Sequence, residues 1–282
     1  MTRYAEVIGD PIAQSKSPLI HRFWLDRLGL EGDYRAVHVK PAALADYLGE
    51  RRADPAWRGC NVTIPHKRAV MPLIDRVDPQ AQRIGAVNTI VHDGDALAGY
   101  NSDAPGFLEP LRPVLDERHL LRTARIVGAG GAARAIATAL WDEGFTLILY
   151  ARDLAKAAEV VAGFDQAHVH LAPLATLAQP LAFDWGDTDG RLDLFVNASP
   201  LGMAGQPPLD LDLSHLPPGA IVYDAVYAPL ETPLLAAARA ARHPVIDGLA
   251  MLIGQARLAF QRFFGVIPPA DADPELKALL TA

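Results

Sequence analysis

The run Val127-Gly128-Ala129-Gly130-Gly131-Ala132-Ala133 fits the pattern G-x-G-x-x-A, and its flanks say what it is for. Ahead of it, Ala124 to Val127 is a short apolar strand; behind it, Ala132 to Glu143 has helical spacing and stops at Gly144. A strand that turns on glycine directly into a helix is the phosphate-binding turn of a dinucleotide fold. Gly128 permits the tight turn, Gly130 lets backbone approach a pyrophosphate, and the small Ala133 allows the helix to pack closely on its strand. The helix N-terminus then faces the phosphates. An ordinary tight strand-to-helix turn is the plainer alternative.

Outward from this turn, strand patterns follow at Thr146 to Tyr150, near Ala167, at Leu192 to Val196 and at Ile221 to Tyr223. Together they make one α/β block of nucleotide-binding size. Before it lie strand candidates Tyr4 to Ile8, Tyr34 to Val39 and Cys60 to Ile64, separated by helices near Pro18 to Leu28 and Pro41 to Arg51. A hairpin joins Ala86 to His92 with Ala96 to Tyr100 through Asp93-Gly94, a pair that tolerates positive φ. A late helix, Met251 to Phe264, is expected to pack back on the first block, with Leu252, Ala256, Ala259, Phe260 and Phe263 as its core stripe and Gln255 at the stripe's edge. The 282 residues suit about two domains. Strands alternating with helices predict an α/β fold with mostly parallel sheets.

Composition narrows the partners. With 26 basic and 33 acidic residues the net charge is −7, which provides no electrostatic footprint for nucleic acid or an anionic membrane. A small-molecule substrate is the expected partner, and a homodimer is left open. Cys60 is the single cysteine, so an internal disulfide framework is excluded and a reducing cytoplasm is the expected setting. The N-terminal residues lack a basic stretch leading to an apolar core, and no window reads as a membrane span. The nine histidines form no H-E-x-x-H helix and no zinc spacing with Cys60, so no metal is expected. Gln179 to Arg191 reads as a surface loop, and His66 as a surface residue.

Where the second strand of the nucleotide block ends, an NAD site would carry an acid for the ribose hydroxyls. Here stands Tyr150-Ala151-Arg152-Asp153. Ala151 cannot accept that bond, while Arg152 offers a planar cation suited to a 2′-phosphate, which favours NADP. Asp153 pulls the other way unless it turns aside, so NAD stays open.

Polar residues also end the elements of the first block. In Ser15-Lys16-Ser17-Pro18, Ser17 reads as a helix N-cap with Pro18 at the first helical position, and the same helix end with its hydroxyls is a carboxylate site. In Asn61-Val62-Thr63-Ile64-Pro65-His66-Lys67, Thr63 closes a buried strand and Lys67 falls in the first turn beyond it, where a cation meets an unfavourable dipole. Asn88 follows Gly85-Ala86-Val87, and in Asn101-Ser102-Asp103 the aspartate is placed to cap the helix around Pro105. Each alone is a turn or cap former. Jointly they would converge at the carboxyl edge of one sheet, where open α/β folds bind ligands.

These blocks, with Asn197-Ala198-Ser199-Pro200-Leu201-Gly202-Met203 and Asp247 to Gln255, occur in the order that resembles the shikimate dehydrogenase family over nearly the whole chain. The resemblance implies an NADP-linked, reversible reduction of 3-dehydroshikimate to shikimate in aromatic biosynthesis. It also implies two α/β domains with a cleft between them: a substrate domain over 1–103 completed by C-terminal helices in 238–282, and a Rossmann-like domain over 104–237. Carried over by position, Lys67 and Asp103 match the catalytic pair. Ser15, Ser17, Thr63, Lys67, Asn88, Asp103, Tyr227 and Gln255 match substrate contacts. Gly128, Ala129, Gly130, Gly131, Ala132, Ala151, Arg152, Asp153, Lys156, Ala225 and Gly248 match cofactor contacts. The chain departs from the family where Asn-Arg-Thr becomes Ala151-Arg152-Asp153 and where Asn-Thr-Asp becomes Asn101-Ser102-Asp103.

Reducing a ketone needs a hydride on carbon and a proton on oxygen, and a nicotinamide supplies only the first. Lys67 is the expected proton donor. Oxidation of the alcohol needs the neutral amine, so its rate is expected to climb as pH rises above about 8. The alternatives are an NAD-preferring quinate/shikimate dehydrogenase and a noncatalytic dinucleotide sensor, and the latter would have no use for Lys67 beside Asp103.

Overall fold

The computed structural model describes residues 2–186 and 188–281; Met1, Ala282 and Asp187, the last within the expected Gln179 to Arg191 loop, lie outside the described residues. The chain forms two compact units, Met1–Gly106 with Ile253–Ala282, and Phe107–Leu252. Residues 238–252 stay with the second unit because β12 (Val245–Ile246) pairs with β11 (Ile221–Asp224) there.

The first unit runs β1 (Tyr4–Gly9), α1 (Ser17–Leu28), β2 (Asp33–His38), α2 (Leu44–Arg52), β3 (Trp57–Val62), α3 (His66–Ala69), β4 (Arg76–Val77), α4 (Pro79–Ile84), β5 (Thr89–Asp93), β6 (Ala96–Tyr100) and α5 (Asp103–Leu108). Its strand order is β2-β1-β3-β5-β6-β4. β1 pairs in parallel with β2 and β3, whereas β3, β5 and β6 are antiparallel, as the hairpin turn dictates. Alternation along β1 splits the core: Tyr4 and Ile8 join Trp57, Leu44 and Leu48 on one face, while Ala5 and Val7 join Tyr34, Ala259 and Phe263 on the other. The second face is covered by α10 (Gly248–Phe264), whose Ala256, Ala259, Phe260 and Phe263 are buried as the stripe predicts, while Leu252, placed in the same stripe, is only partly buried. A Cβ on Gly106 would strike the backbone of Gln255, so glycine at that point lets α5 lie against α10 and seats Gln255. α11 (Asp273–Thr281) closes the unit, its Leu276 and Leu280 buried.

The second unit holds α6 (Arg112–Leu115), β7 (Leu121–Val127), α7 (Gly131–Asp142), β8 (Thr146–Ala151), α8 (Leu154–Val160), β9 (Val169–Pro173), β10 (Arg191–Asn197), β11, α9 (Pro233–Ala240) and β12. All its strand pairs are parallel, in the order β12-β11-β10-β7-β8-β9. Counted from β7, that is the doubly wound 3-2-1-4-5-6 order, whose ligand crevice opens where β7 and β10 send their connections opposite ways. The 179–190 loop is mostly exposed yet anchored: Trp185 lies 4.8 Å from the Arg125 guanidinium, and Arg125 in turn bonds Asp193 at 3.0 Å. Among the described residues no helix is long and apolar enough to cross a membrane.

Candidate active site

Parallel pairing brings the carboxyl ends of β1 and β3 to one edge, and the Thr63 amide ties that edge together by donating to the Ile8 carbonyl at 2.9 Å. The chain then turns into α3, which places Lys67. Its Nζ donates to Asp103 Oδ2 at 2.6 Å, and the two side chains are 21% and 10% exposed, so most of the pair is withdrawn from water. Asp103 is free for this because Asn101, and not Asp103, caps α5: Asn101 Oδ1 accepts from the amides of Asp103 and Ala104 at 3.0 and 3.3 Å.

The same substitution of roles occurs on α1. Ser17, expected as the N-cap, is already helical, and Lys16 holds the cap position without a side-chain bond. Ser15 Oγ accepts from the Ser17 amide at 3.3 Å, while the Ser17 side chain is buried and faces inward. His66 also departs from expectation. It is fully buried, and its Nε2 donates to the Val39 carbonyl at 2.6 Å, which pins the start of α3 beside Lys67. Further along the edge, Asn88 Nδ2 donates to Ser102 Oγ at 3.1 Å, and Ser102 Oγ donates to Gln255 Oε1 at 3.5 Å. Of the predicted residues of this unit, Lys67 and Asp103 pair, Asn88 and Gln255 meet through Ser102, and Ser15 and Ser17 share a turn, while Thr63 is tied to the β1–β3 edge by its backbone and joins none of these groups.

One turn beyond Ser17, His21 is fully buried, stacks on Tyr34 at 3.9 Å, and has no hydrogen-bond partner on either ring nitrogen among the described residues. Burial pushes its pKa down from 6.5 to about 3. A depressed histidine pKa means that the unfolded chain takes up a proton which the native state refuses, so stability is untouched above about pH 6.5 and is lost as pH falls toward 3. At pH 5 the loss amounts to about 2 kcal/mol. Urea unfolding of His21→Phe and the parent at pH 7.5 and pH 5 is therefore expected to show the variant gaining by that amount at the lower pH. A difference that does not change with pH would contradict it.

In the second unit the glycine turn sits at the mouth of the crevice. Gly128 follows β7 with φ +121°, and a Cβ there would come within 3.0 Å of the Ala198 carbonyl beyond β10. Gly130 holds the N-cap position of α7 with an extended backbone, and Cβ atoms on Gly130 or Gly131 would meet nothing within 4 Å, so room is kept in front of the helix N-terminus. Ala133 is fully buried, as close helix packing requires. At the end of β8, Ala151 and Arg152 border an apolar cavity of about 520 Å³ walled by Pro173, Leu174, Leu201 and Leu209. Asp153 turns away from the strand end: its Oδ1 accepts from the Lys156 amide at 3.2 Å as the N-cap of α8, and its Oδ2 lies 3.7 Å from Lys156 Nζ.

Tyr227, Ala225 and Gly248 also lie in this unit. The Ala225 amide donates to the Asn197 carbonyl at 2.9 Å. Buried Asp224 braces the same segment, accepting from Asn197 Nδ2, the Val226 amide and Thr232 Oγ1. Burial raises the Asp224 pKa, and these donors hold the rise in check. Burial likewise raises the Tyr227 pKa. Asp224 and Thr232 escaped the sequence reading, which quoted Asn61 without giving it a role. The available signal was a polar side chain inside or ending an apolar strand run, which must find partners once buried.

An α/β chain with a glycine turn at the switch point of one unit, and an amine held by a carboxylate at the strand ends of the other, has the build of the dinucleotide-dependent oxidoreductases. Residues 7–90 match the family model of the shikimate dehydrogenase substrate binding domain. A shikimate dehydrogenase (NADP(+)) of Sphingopyxis alaskensis is 54% identical, over 99% of this chain and 97% of that protein. The shikimate 5-dehydrogenase of Thermus thermophilus, solved in complex with NADP(H) and shikimate, superposes with a TM-score of 0.82 at 36% identity, covering 99% of both chains. The ligand-free 5-ketofructose reductase of a Gluconobacter strain superposes as well, at 0.84, with 26% identity over 99% of each chain. The chain belongs to the shikimate dehydrogenase family.

Proposed function

We propose that this protein catalyses the reversible NADPH-dependent reduction of 3-dehydroshikimate to shikimate, as a cytoplasmic enzyme of aromatic biosynthesis. Because the fold also serves a ketofructose reductase, the reading rests on the site, and above all on the 2.6 Å pair of Lys67 and Asp103. As the ketone becomes an alcohol, Lys67 Nζ gives its proton to the oxygen. Asp103 holds that nitrogen in place, and the 21% exposure of the lysine side chain lets solvent restore the proton. The Ser15 and Ser17 hydroxyls hold the substrate carboxylate through charge-assisted bonds. Thr63, Asn88, Asp103 and Gln255 hold the ring oxygens, with Tyr227 a further substrate contact.

The cofactor residues fit a dinucleotide. The open space before α7 suits a pyrophosphate, Gly128 to Ala132 would hold it, and Arg152 would hold a 2′-phosphate beside the apolar cavity. Bound NADPH supplies the hydride. Asp153 spends its carboxylate on α8 and Lys156, which removes the main objection to a phosphate there. Replacing Arg152 by Ala is expected to raise KM for NADP by roughly tenfold to a hundredfold and leave KM for NAD nearly unchanged. Equal effects on both cofactors would remove Arg152 from the phosphate site.

The overall test is a steady-state assay of 3-dehydroshikimate with NADPH, followed by shikimate and quinate against NADP and NAD. Loss of NADPH absorbance dependent on 3-dehydroshikimate is the expected result. Turnover of quinate with NAD at a higher kcat/KM than shikimate with NADP would overturn the assignment.

A further inference from the structure

Tyr34 lies on β2, fully buried, and its hydroxyl donates to Asn61 Oδ1 on β3 at 2.6 Å. Asn61 carries the chain onward: its Nδ2 donates to the Asn88 carbonyl and to Thr89 Oγ1, both at 3.2 Å. Thr89 Oγ1 donates to Asn88 Oδ1 at 2.9 Å, and the Ser102 amide donates to the same oxygen at 2.8 Å.

Two backbone groups fix the direction of every bond in this chain. The Ser102 amide can only donate, so the Asn88 side chain must present its oxygen there and its Nδ2 toward Ser102 Oγ. The Asn88 carbonyl can only accept, so Asn61 must present Nδ2 to it and Oδ1 to Tyr34. The Tyr34 hydrogen is therefore committed to Asn61. The ring that enforces this is clamped by stacking on His21 and by contact with Phe263 at 6.2 Å.

We propose that Tyr34 is a positioning residue, whose hydroxyl anchors Asn61 and, through it, the Asn88–Ser102–Gln255 chain, and so fixes where the ring oxygens of the substrate are received. Tyr34 touches no substrate itself. By donating to the buried Asn61 Oδ1 it gives that oxygen a partner and holds the Asn61 side chain against the Asn88 carbonyl and Thr89. This inference rests on the shikimate dehydrogenase reading of the same site.

The experiment is the Tyr34→Phe variant, which keeps the ring and the stack but removes the link. KM for shikimate is expected to rise about fivefold, the worth of one neutral hydrogen bond of about 1 kcal/mol, with KM for NADP unchanged and kcat within twofold. Tyr47→Phe is the structural control, because that buried hydroxyl donates to Glu6 at 2.6 Å, on the opposite face of the sheet from Tyr34. It should lower Tm without moving KM for shikimate. In an Asn61→Asp background the Tyr34→Phe effect should shrink, since it runs through Asn61.

An unchanged or lowered KM in Tyr34→Phe, or fully additive effects in the double variant, overturns the proposal. Should Tyr34→Phe not fold, Asn61→Asp cuts the chain one bond further on and is expected to give the same rise; an unchanged KM there overturns it equally. An unmodified protein that turns over no shikimate, by contrast, would sink the reading of function, and calorimetric shikimate binding by the same variants would still decide the role of Tyr34.

Discussion

Lys67→Ala is expected to lower kcat by roughly 10² to 10⁴ in both directions while KM for shikimate changes little, because a positioned proton donor acts in the transition state far more than in the bound ground state. Lys67 meets the geometric demand for that role. Its amine is carried by a short helix whose ends are fixed by backbone bonds, the Val87 amide donating to the Lys67 carbonyl at 2.8 Å and the His66 ring holding the turn from below. Removing the amine also leaves the Asp103 carboxylate, 10% exposed, without its cation. Some loss of Tm should accompany the loss of rate, and Lys67→Met, which keeps the aliphatic stem, serves to separate the two. Turnover within threefold of the parent in either variant would transfer the proton step to another group.

The second large effect concerns stability. Arg257 on α10 is 6% exposed and grips Asp273, at the start of α11, with Nη2 at 2.7 Å from Oδ1, while its Nη1 donates to the Pro268 carbonyl at 3.3 Å. Its guanidinium also lies 5.9 Å from the Trp24 ring. Truncation to Ala strands a half-buried carboxylate and a carbonyl and removes the packing of the long stem, for a cost of roughly 3 kcal/mol. The expected result is a lower urea midpoint, together with faster proteolysis between Gly265 and Ala272, where the chain leads into α11. An unchanged midpoint would mean that Leu276 and Leu280 hold α11 without the clamp.

Much of the architecture could be read from the sequence because its longer elements carry their own signals. β1, β5 to β7 and β10 are runs closed by Gly, Asp or Asn, β8 is an apolar run, and α7 and α10 are spaced stripes of small and aromatic residues. β4 and β12, two residues each, are too short to show any period and exist only because a neighbouring strand offers bonds. In the site, residue types were legible but their division of labour was not. Ser17 and Asp103 both look like caps, and both are released from capping by a residue two places earlier, Ser15 and Asn101. Local sequence states that a cap is needed; which oxygen supplies it depends on what the other faces across the fold. His66 shows the same limit, since the Val39 carbonyl that buries it lies far away in sequence. Asp153 could be judged for or against NADP only after its helix had claimed it.

Because the first unit takes its last segment from Ile253–Ala282, with the whole of Phe107–Leu252 set between its parts, the order of synthesis bears on how the protein is made. The early strands leave the ribosome with the Tyr34 face uncovered, and Phe260 and Phe263 reach it only after the whole of Phe107–Leu252 has been made. The inserted unit has all of its strands by then and is free to fold first. Nascent chains stalled before α10 should accordingly hold a finished nucleotide half beside a sticky, unfinished partner, and that is the stage at which a chaperone would have the most to protect.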